Sequence, residues 1–276
     1  MRKMIRFLLI PAIVVAILMV YDLYRSNKLI ETEQISLEFD TLPQGFDGFR
    51  IAHVSDLHGT QYGADNSELC KLISEQNVDI IVITGDYVDN KNDLDMVYGT
   101  AKALCEVAPV YFVAGNHEYG SKNFDKVEKE LVRAGVVVLQ NEAVELERNG
   151  DKITLLGVDD PAGRADMISM ERAVELAKTR EPEFLIVLHH RYDRAEEAAE
   201  LDIDLFLTGH AHGGLIRLPF TDGIIGPGRV VLPKRTSGYY NVNGMDMVTS
   251  RGLGNSGISF RLFNRVHLPI IDLHRG

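Results

Sequence analysis

The chain has 276 residues, 45% hydrophobic and 25% charged, which suits one α/β domain of ordinary to large size plus a short appendage. Its 29 basic and 40 acidic residues leave a net charge of −11, and such a surface repels polyanions, so nucleic acid is a poor partner. Two cysteines, Cys70 and Cys105, cannot build a disulfide framework; they read as buried thiols, with one disulfide as the alternative.

The head comes first in chain order. No charge interrupts residues 7–21, and Arg2, Lys3 and Arg6 precede them. This falls short of the roughly 20 apolar residues of a spanning helix. Met4, Ile5 and a snorkelling Arg6 extend it. An uncleaved membrane anchor is the preferred reading and a cleaved signal peptide the rival, because bulky Leu18 to Asp22 offers no small-residue cleavage site. The basic flank points the N-terminus inward and the rest of the chain out of the cytoplasm. No cysteine in the head could accept a lipid. Residues 22–32 read as a polar stalk. The chain thus divides into an anchor (or signal peptide) over 1–24, a stalk and first strand over 25–48, and a globular domain over 49–276.

Residues 34–39 alternate as a strand before the turn residues Pro43 and Gly45. Helical spacing follows over 66–76, 92–107 and 122–134. Strands are expected over 136–139, 143–146 and 152–158, with Asn149-Gly150 as a hairpin turn. Helices are expected over 169–180 and 194–201. Beyond Gly214, glycine and proline recur between short β-rich pieces. Residues 258–263 read as β, so the G-x-G-x-x-G match at 252–257 lacks the helix of a dinucleotide-binding turn and is taken as a loop near the site. Arg251 beside it reads either as a phosphate contact or as a structural salt bridge. His267 and His274 read as surface or terminal residues, and His53 as a core side chain.

Five apolar runs each end in metal-loving side chains. Residues 50–55 run into Asp56-x-His58, 80–84 into Gly85-Asp86-x-x-Asp89, and 110–114 into Gly115-Asn116-His117-Glu118. Residues 184–188 run into His189-His190, and 204–208 into Gly209-His210-x-His212. An aspartate at a strand end is by itself more often a turn residue than a ligand. Five such clusters describe one site assembled where several strands stop. Asp, Asn and His without Cys suit Mn, Fe or Zn. Seven candidate ligands exceed the needs of one four-coordinate ion and fit two.

In kind and order these motifs resemble the calcineurin-like metallophosphoesterases over about residues 49–214. The tail from Thr236-Ser-Gly-Tyr to Gly257 is similar to a membrane-anchored bacterial branch that includes lipid-sugar nucleotide pyrophosphatases. The resemblance implies a two-sheet β-sandwich flanked by helices, with two divalent metal ions at one end. It implies that Asp56, His58 and His212 hold one ion, that Asn116, His190 and His210 hold the other, and that Asp86 bridges them. His189 remains an alternative to His190, and Tyr192 and Leu215 depart from the family's usual proline and glutamine. By the same resemblance His117 faces the phosphate and Asp89 orients that histidine. Glu118 reads as a loop support rather than a metal ligand.

The implied chemistry is attack by a metal-bridging hydroxide on a phosphodiester or pyrophosphate. An anchored catalytic domain would suit a small or lipid-linked substrate of the envelope. A phosphomonoesterase is the nearer alternative, and a non-enzymatic metal-binding scaffold the more distant one.

Overall fold

The computed structural model describes residues 2–89, 94–121, 124–163, 167–179, 184–257 and 260–276. Two six-stranded mixed sheets face one another. The first has the order β1 (Glu31–Phe39), β12 (His267–Arg275), β2 (Phe49–Val54), β3 (Ile80–Thr84), β4 (Val110–Val113) and β5 (Val137–Val138). The second has the order β10 (Gly238–Val242), β11 (Met245–Thr249), β9 (Leu205–Gly209), β8 (Leu185–Arg191), β7 (Asp151–Val158) and β6 (Glu142–Arg148). Strands β2 to β5 run parallel, as do β7, β8, β9 and β11.

The central strands are apolar throughout because both of their faces are covered. Ile51, Val82, Val113, Ile186 and Leu207 fill the layer between the sheets. Ala52, Ile81 and Phe112 point the other way, onto α2 (Ser67–Ser74), α3 (Leu94–Cys105) and α5 (Phe124–Ala134). Val187 and Phe206 meet α6 (Met170–Lys178) and α7 (Ala195–Ala198) on the far side of the second sheet. The result is the expected two-sheet sandwich flanked by helices.

Most expected elements appear, shortened at their ends. Asn92, Lys122, Arg180 and residues 258–259, which fell inside expected elements, lie outside the described residues. Asn149 and Gly150 both take left-handed backbone (φ 54° and 86°), which joins β6 to β7 by a tight hairpin turn. Ser169 caps α6 by accepting from the Arg172 amide at 3.2 Å. Both cysteines are free.

Three expectations are corrected. Residues 22–32 are no tether. Helix α1 (Arg2–Lys28) runs almost to β1 at Glu31. Its last turns are docked: the Phe263 amide donates to Asp22 at 2.6 Å, and Asn264 and Val266 donate to Ser26 at 3.3 and 3.0 Å. His267 is fully buried in β12, 2.8 Å from Glu33, because the C-terminal strand enters the middle of the first sheet rather than its edge. Residues 260–263 form no strand; Leu262 makes only an isolated bridge to Ile216.

From Ile10 to Lys28, α1 is long and apolar enough to cross a membrane. Ile10, Val15, Ile17 and Val20 are all more than half exposed. Apolar side chains exposed all round a helix call for cover that the protein does not supply.

Candidate active site

The candidate residues leave the same end of the sandwich. Asp56 and His58 follow β2, and Asp86 and Asp89 follow β3. Asn116 and His117 open α4 (Asn116–Gly120) after β4, while His190 closes β8 and His210 and His212 follow β9.

Their backbone is under constraint. Asp56, His58, Asp86, His210 and His212 all have positive φ, between 47° and 65°. For residues with a Cβ this region costs on the order of 1 kcal/mol each. The surroundings hold them there. Asp56 and His58 amides donate to Gly85 and Asp86 carbonyls at 3.0 and 2.9 Å. Glycine permits the close approach: a Cβ on Gly209 would lie 1.9 Å from Ser55 Oγ, and one on Gly115 would lie 2.3 Å from Asp86 Oδ1.

Glu118 is the hub of these loops. It is fully buried and accepts from the amides of Asp86 (2.9 Å), Tyr87 (2.7 Å), Val88 (3.2 Å) and Gly115 (2.7 Å). Burial and the charge of Asp86 push its pKa up, against those donors. Its role is to hold the loops after β3 and β4 together, in keeping with the sequence reading.

The cluster falls into two groups that meet at Asp86. In the first, His58 Nε2 is 3.2 Å from His212 Nε2 and 3.8 Å from Asp56 Oδ1, and His212 Nε2 is 3.4 Å from Asp56 Oδ1. In the second, His190 Nε2 is 3.1 Å from Asn116 Oδ1, 3.0 Å from His210 Nδ1 and 3.2 Å from Asp86 Oδ2. Asp86 Oδ2 also lies 3.7 Å from His58 Nε2. Ligand atoms bound about 2.1 Å from one ion are roughly 3.0–3.5 Å apart. These donors therefore fit divalent ions without large movement. Asp56–His58–His212 and Asp86–His190–His210 each bring their ligand atoms within 4.8 Å of one another.

Groups behind the donors fix them. His58 Nδ1 is 2.5 Å from Asp89 Oδ1, and His190 Nδ1 donates to the Thr84 carbonyl at 2.8 Å, which leaves both Nε2 atoms facing inward. Asp56 accepts from Ser55 Oγ (2.5 Å) and from the His210 amide (3.0 Å to Oδ2). Ser55 Oγ accepts from Thr84 Oγ1 at 2.9 Å, and Thr84 meets the core residue His53 at 2.8 Å. His189 stands outside the cluster, its Nδ1 3.1 Å from the Val158 carbonyl.

Two arginines escaped the sequence reading. Arg191 pairs with Asp160 at 2.7 Å and places Nη1 3.2 Å from His210 Nε2. Arg261, fully buried, donates to the Arg251 and Gly254 carbonyls at 2.7 Å and sits 3.1 Å from His212 Nδ1. Arg191 could have been suspected beside the His pair; nothing local marks Arg261. Arg251 is structural, paired with Glu31 at 3.2 Å and with Ser237 at 2.8 Å.

The electrostatics follow. Burial opposes charge on His58, but Asp56 and Asp89 raise its pKa to about 10. Burial likewise opposes charge on His190, and Asp86 above all raises it to about 10. Burial keeps His210 at about 4 and His212 at about 3, with nearby cations adding to the effect. Burial would raise Asp86, yet His190 holds it below the usual carboxylate range. His117 lies 3.0 Å from Asp89 through Nδ1, and that contact raises its pKa. A cleft of about 340 Å³ is lined by Asp86, Asn116, His117, His210 and His212 together with Leu215, Ile225 to Arg229 and Ser256.

Comparison with known proteins agrees with this geometry. The profile of the calcineurin-like phosphoesterase family matches residues 49–214. The uncharacterised metallophosphoesterase YkoQ of Bacillus subtilis is 29% identical over 99% of this chain and 100% of its own length. Phosphodiesterase YaeI of Escherichia coli is 29% identical over 82% of each chain. A Danio rerio transmembrane protein with a metallophosphoesterase domain is 28% identical over 95% of this chain and 61% of its own. The crystal structure of TT1561 from Thermus thermophilus shares the fold, with a TM-score of 0.52 at 12% identity over 75% of this chain and 90% of that one.

Proposed function

The chain belongs to the calcineurin-like phosphoesterase family and is a hydrolase of phosphate esters, and on that premise we propose that it uses two divalent ions (Mn, Fe or Zn) to cleave a phosphodiester or pyrophosphate. The observation that carries the dinuclear reading is Asp86, whose Oδ2 faces His190 of one donor group at 3.2 Å and His58 of the other at 3.7 Å. That one oxygen faces both groups, while Oδ1 accepts from the His117 amide at 2.9 Å.

When bound, the ions would neutralise phosphoryl charge and lower the pKa of the attacking water. The chain's own residues do the rest. Asp56, His58 and His212 would hold one ion, Asn116, His190 and His210 the other, and Asp86 would serve both. His117 offers Nε2 to the cleft while Nδ1 rests on Asp89, so a proton at Nε2 stands ready for the leaving oxygen. Residues 1–24 anchor the protein, residues 25–48 carry the docked end of the helix and the first strand of the sandwich, and the domain lies outside the cytoplasm, where it meets lipid-linked or envelope esters. The apolar side chains of Leu215, Ile225 and Pro227 in the cleft suit the second substituent of a diester, and the name of the Escherichia coli relative supports that choice.

The test uses the full chain in detergent, loaded with Mn²⁺. Rates on bis-p-nitrophenyl phosphate and p-nitrophenyl phosphate are compared, with Asp86→Ala as control and metal content read by mass spectrometry. Two ions per chain and a diester preference lost in the variant are expected. A monoester preference would make the enzyme a phosphomonoesterase. Metal content well below two, with no turnover, would favour a scaffold.

A further inference from the structure

The segment between Gly214 and Thr236 contributes no candidate ligand, yet it is built with care. Ile225 and Val231 form an antiparallel bridge, and Leu232 and Gly226 donate to the carbonyls of Ile224 and Val230 at 2.9 and 2.8 Å. Arg217 ties its base by donating to the Gly213 and Asp222 carbonyls at 3.2 Å and to Thr236 Oγ1 at 2.8 Å. Tyr240 donates to Asp222 at 3.0 Å. Arg217, Asp222 and Thr236 are thus paired at the base of the hairpin, while its apolar side chains are not covered. Leu218, Phe220, Ile225, Val230, Val231 and Leu232 are exposed; Phe220 is wholly so and Val231 is 72% exposed. A concentration of this kind on a tied scaffold marks a surface that meets something apolar.

What it meets is indicated by the anchor. Arg217 donates to the Leu262 carbonyl at 3.0 Å, and Leu262 donates to the Leu215 carbonyl at 3.2 Å. The same short loop carries Phe263 and Asn264, whose amides donate to Asp22 and Ser26 at the end of α1. One loop therefore fastens both the membrane helix and the hairpin. Charge agrees. Residues 215–235 hold Arg217, Arg229, Lys234 and Arg235 against Asp222, a net of 4 − 1 = +3 in a chain of −11. Arg235 is paired with Glu196. Arg229 and Lys234 make no side-chain hydrogen bond or ion pair among the described residues, which leaves them for phosphate headgroups.

We propose that the hairpin over residues 216–235 is a second membrane contact, which dips Phe220, Val230, Val231 and Leu232 into the headgroup and upper acyl region of the bilayer that α1 spans. Ile225 to Arg229 of this hairpin also line the cleft that holds His117, His210 and His212. The mouth of the site is thereby set at the lipid surface, where a phosphate ester borne on a lipid enters without leaving the bilayer. This inference rests on the membrane reading of α1 and deepens the proposed function.

The chain contains no tryptophan, so a single introduced one reports its own position. Full-length Phe220→Trp and Val231→Trp are placed in vesicles with and without lipids brominated on the upper acyl chain. Ile17→Trp in α1 and Val132→Trp on α5 serve as controls. Loss of emission from positions 220 and 231 in brominated vesicles, as at position 17 and not at 132, is expected. Loss at 17 alone would overturn the hairpin contact and leave the anchor standing. No loss at 17 would remove the anchor and the proposal with it. Emission at 220 that responds to protein density and ignores bromine would overturn it too, assigning the face to a second copy of the chain. Activity plays no part in this readout, so the phosphoesterase reading stands or falls separately.

Discussion

Loops leaving the first sheet supply the carboxylates of the cluster, Asp56, Asp86 and Asp89, together with His58, Asn116 and His117. The second sheet supplies His190 and the cation Arg191 from β8 and His210 and His212 from the loop after β9. Neither set closes a metal site alone. Each of the groups around Asp56 and Asp86 takes its carboxylate from the first sheet and at least one imidazole from the second. Metal binding is therefore linked to the contact between the sheets, and the donor that faces both groups should matter most.

Asp86→Ala is expected to have the largest effect, a loss on the order of 10³-fold in rate together with lost metal, since several kcal/mol of charge stabilisation depend on it. Retained metal and rate would break the picture of a shared carboxylate. His117→Asn separates chemistry from binding. Metal content should hold while kcat falls about 10²- to 10⁴-fold. The fall should be smaller for p-nitrophenyl esters, whose leaving group needs no proton. An equal loss on esters with poor and good leaving groups would deny His117 the role of acid.

Asp89→Asn should cost roughly 10- to 100-fold, because Asp89 orients His58 and His117 without entering either pair of donors that Asp86 joins. Loss of the carboxylate charge also lowers the pKa of His117. The alkaline fall in kcat should then begin at lower pH than in the parent, and an unmoved limb would count against the pairing. The smallest effect belongs to the chelated protein. His58 and His190 are raised from 6.5 to about 10 in the fold. Their contribution is fully present below about 6.5 and is lost as pH rises through about 10. The melting temperature without metal should decline between pH 7 and 10, and the decline should shrink on metal loading, as differential scanning fluorimetry would read directly.

Much of this site was legible because its residues lie at the ends of apolar runs, and short-range order in the chain becomes convergence in space once parallel strands align. The sandwich followed from the same runs. What the sequence concealed depends on contacts between distant segments. The docking of Asp22 and Ser26 rests on amides more than two hundred residues away. His267 looked terminal because its position in the chain says nothing of where β12 inserts. Arg261 touches His212 from a stretch with no regular structure, so no periodicity announces it. The choice between His189 and His190 needed the register of β8, which turns adjacent residues to opposite faces.

The left-handed backbone at the strand ends has a consequence for the order in which the molecule loosens. Segments that store conformational energy open before the core does. With the ions removed, the loops around Asp56, His58 and Asp86 should breathe first, while β2, β3 and β8 stay closed behind them. The amides of Asp56 and His58, bonded to Gly85 and Asp86, would then exchange hydrogen faster than the strand amides beside them, and metal would slow them more than any others. The ions would thus serve the protein twice, as reagents for the substrate and as the latch on the loops that bind them.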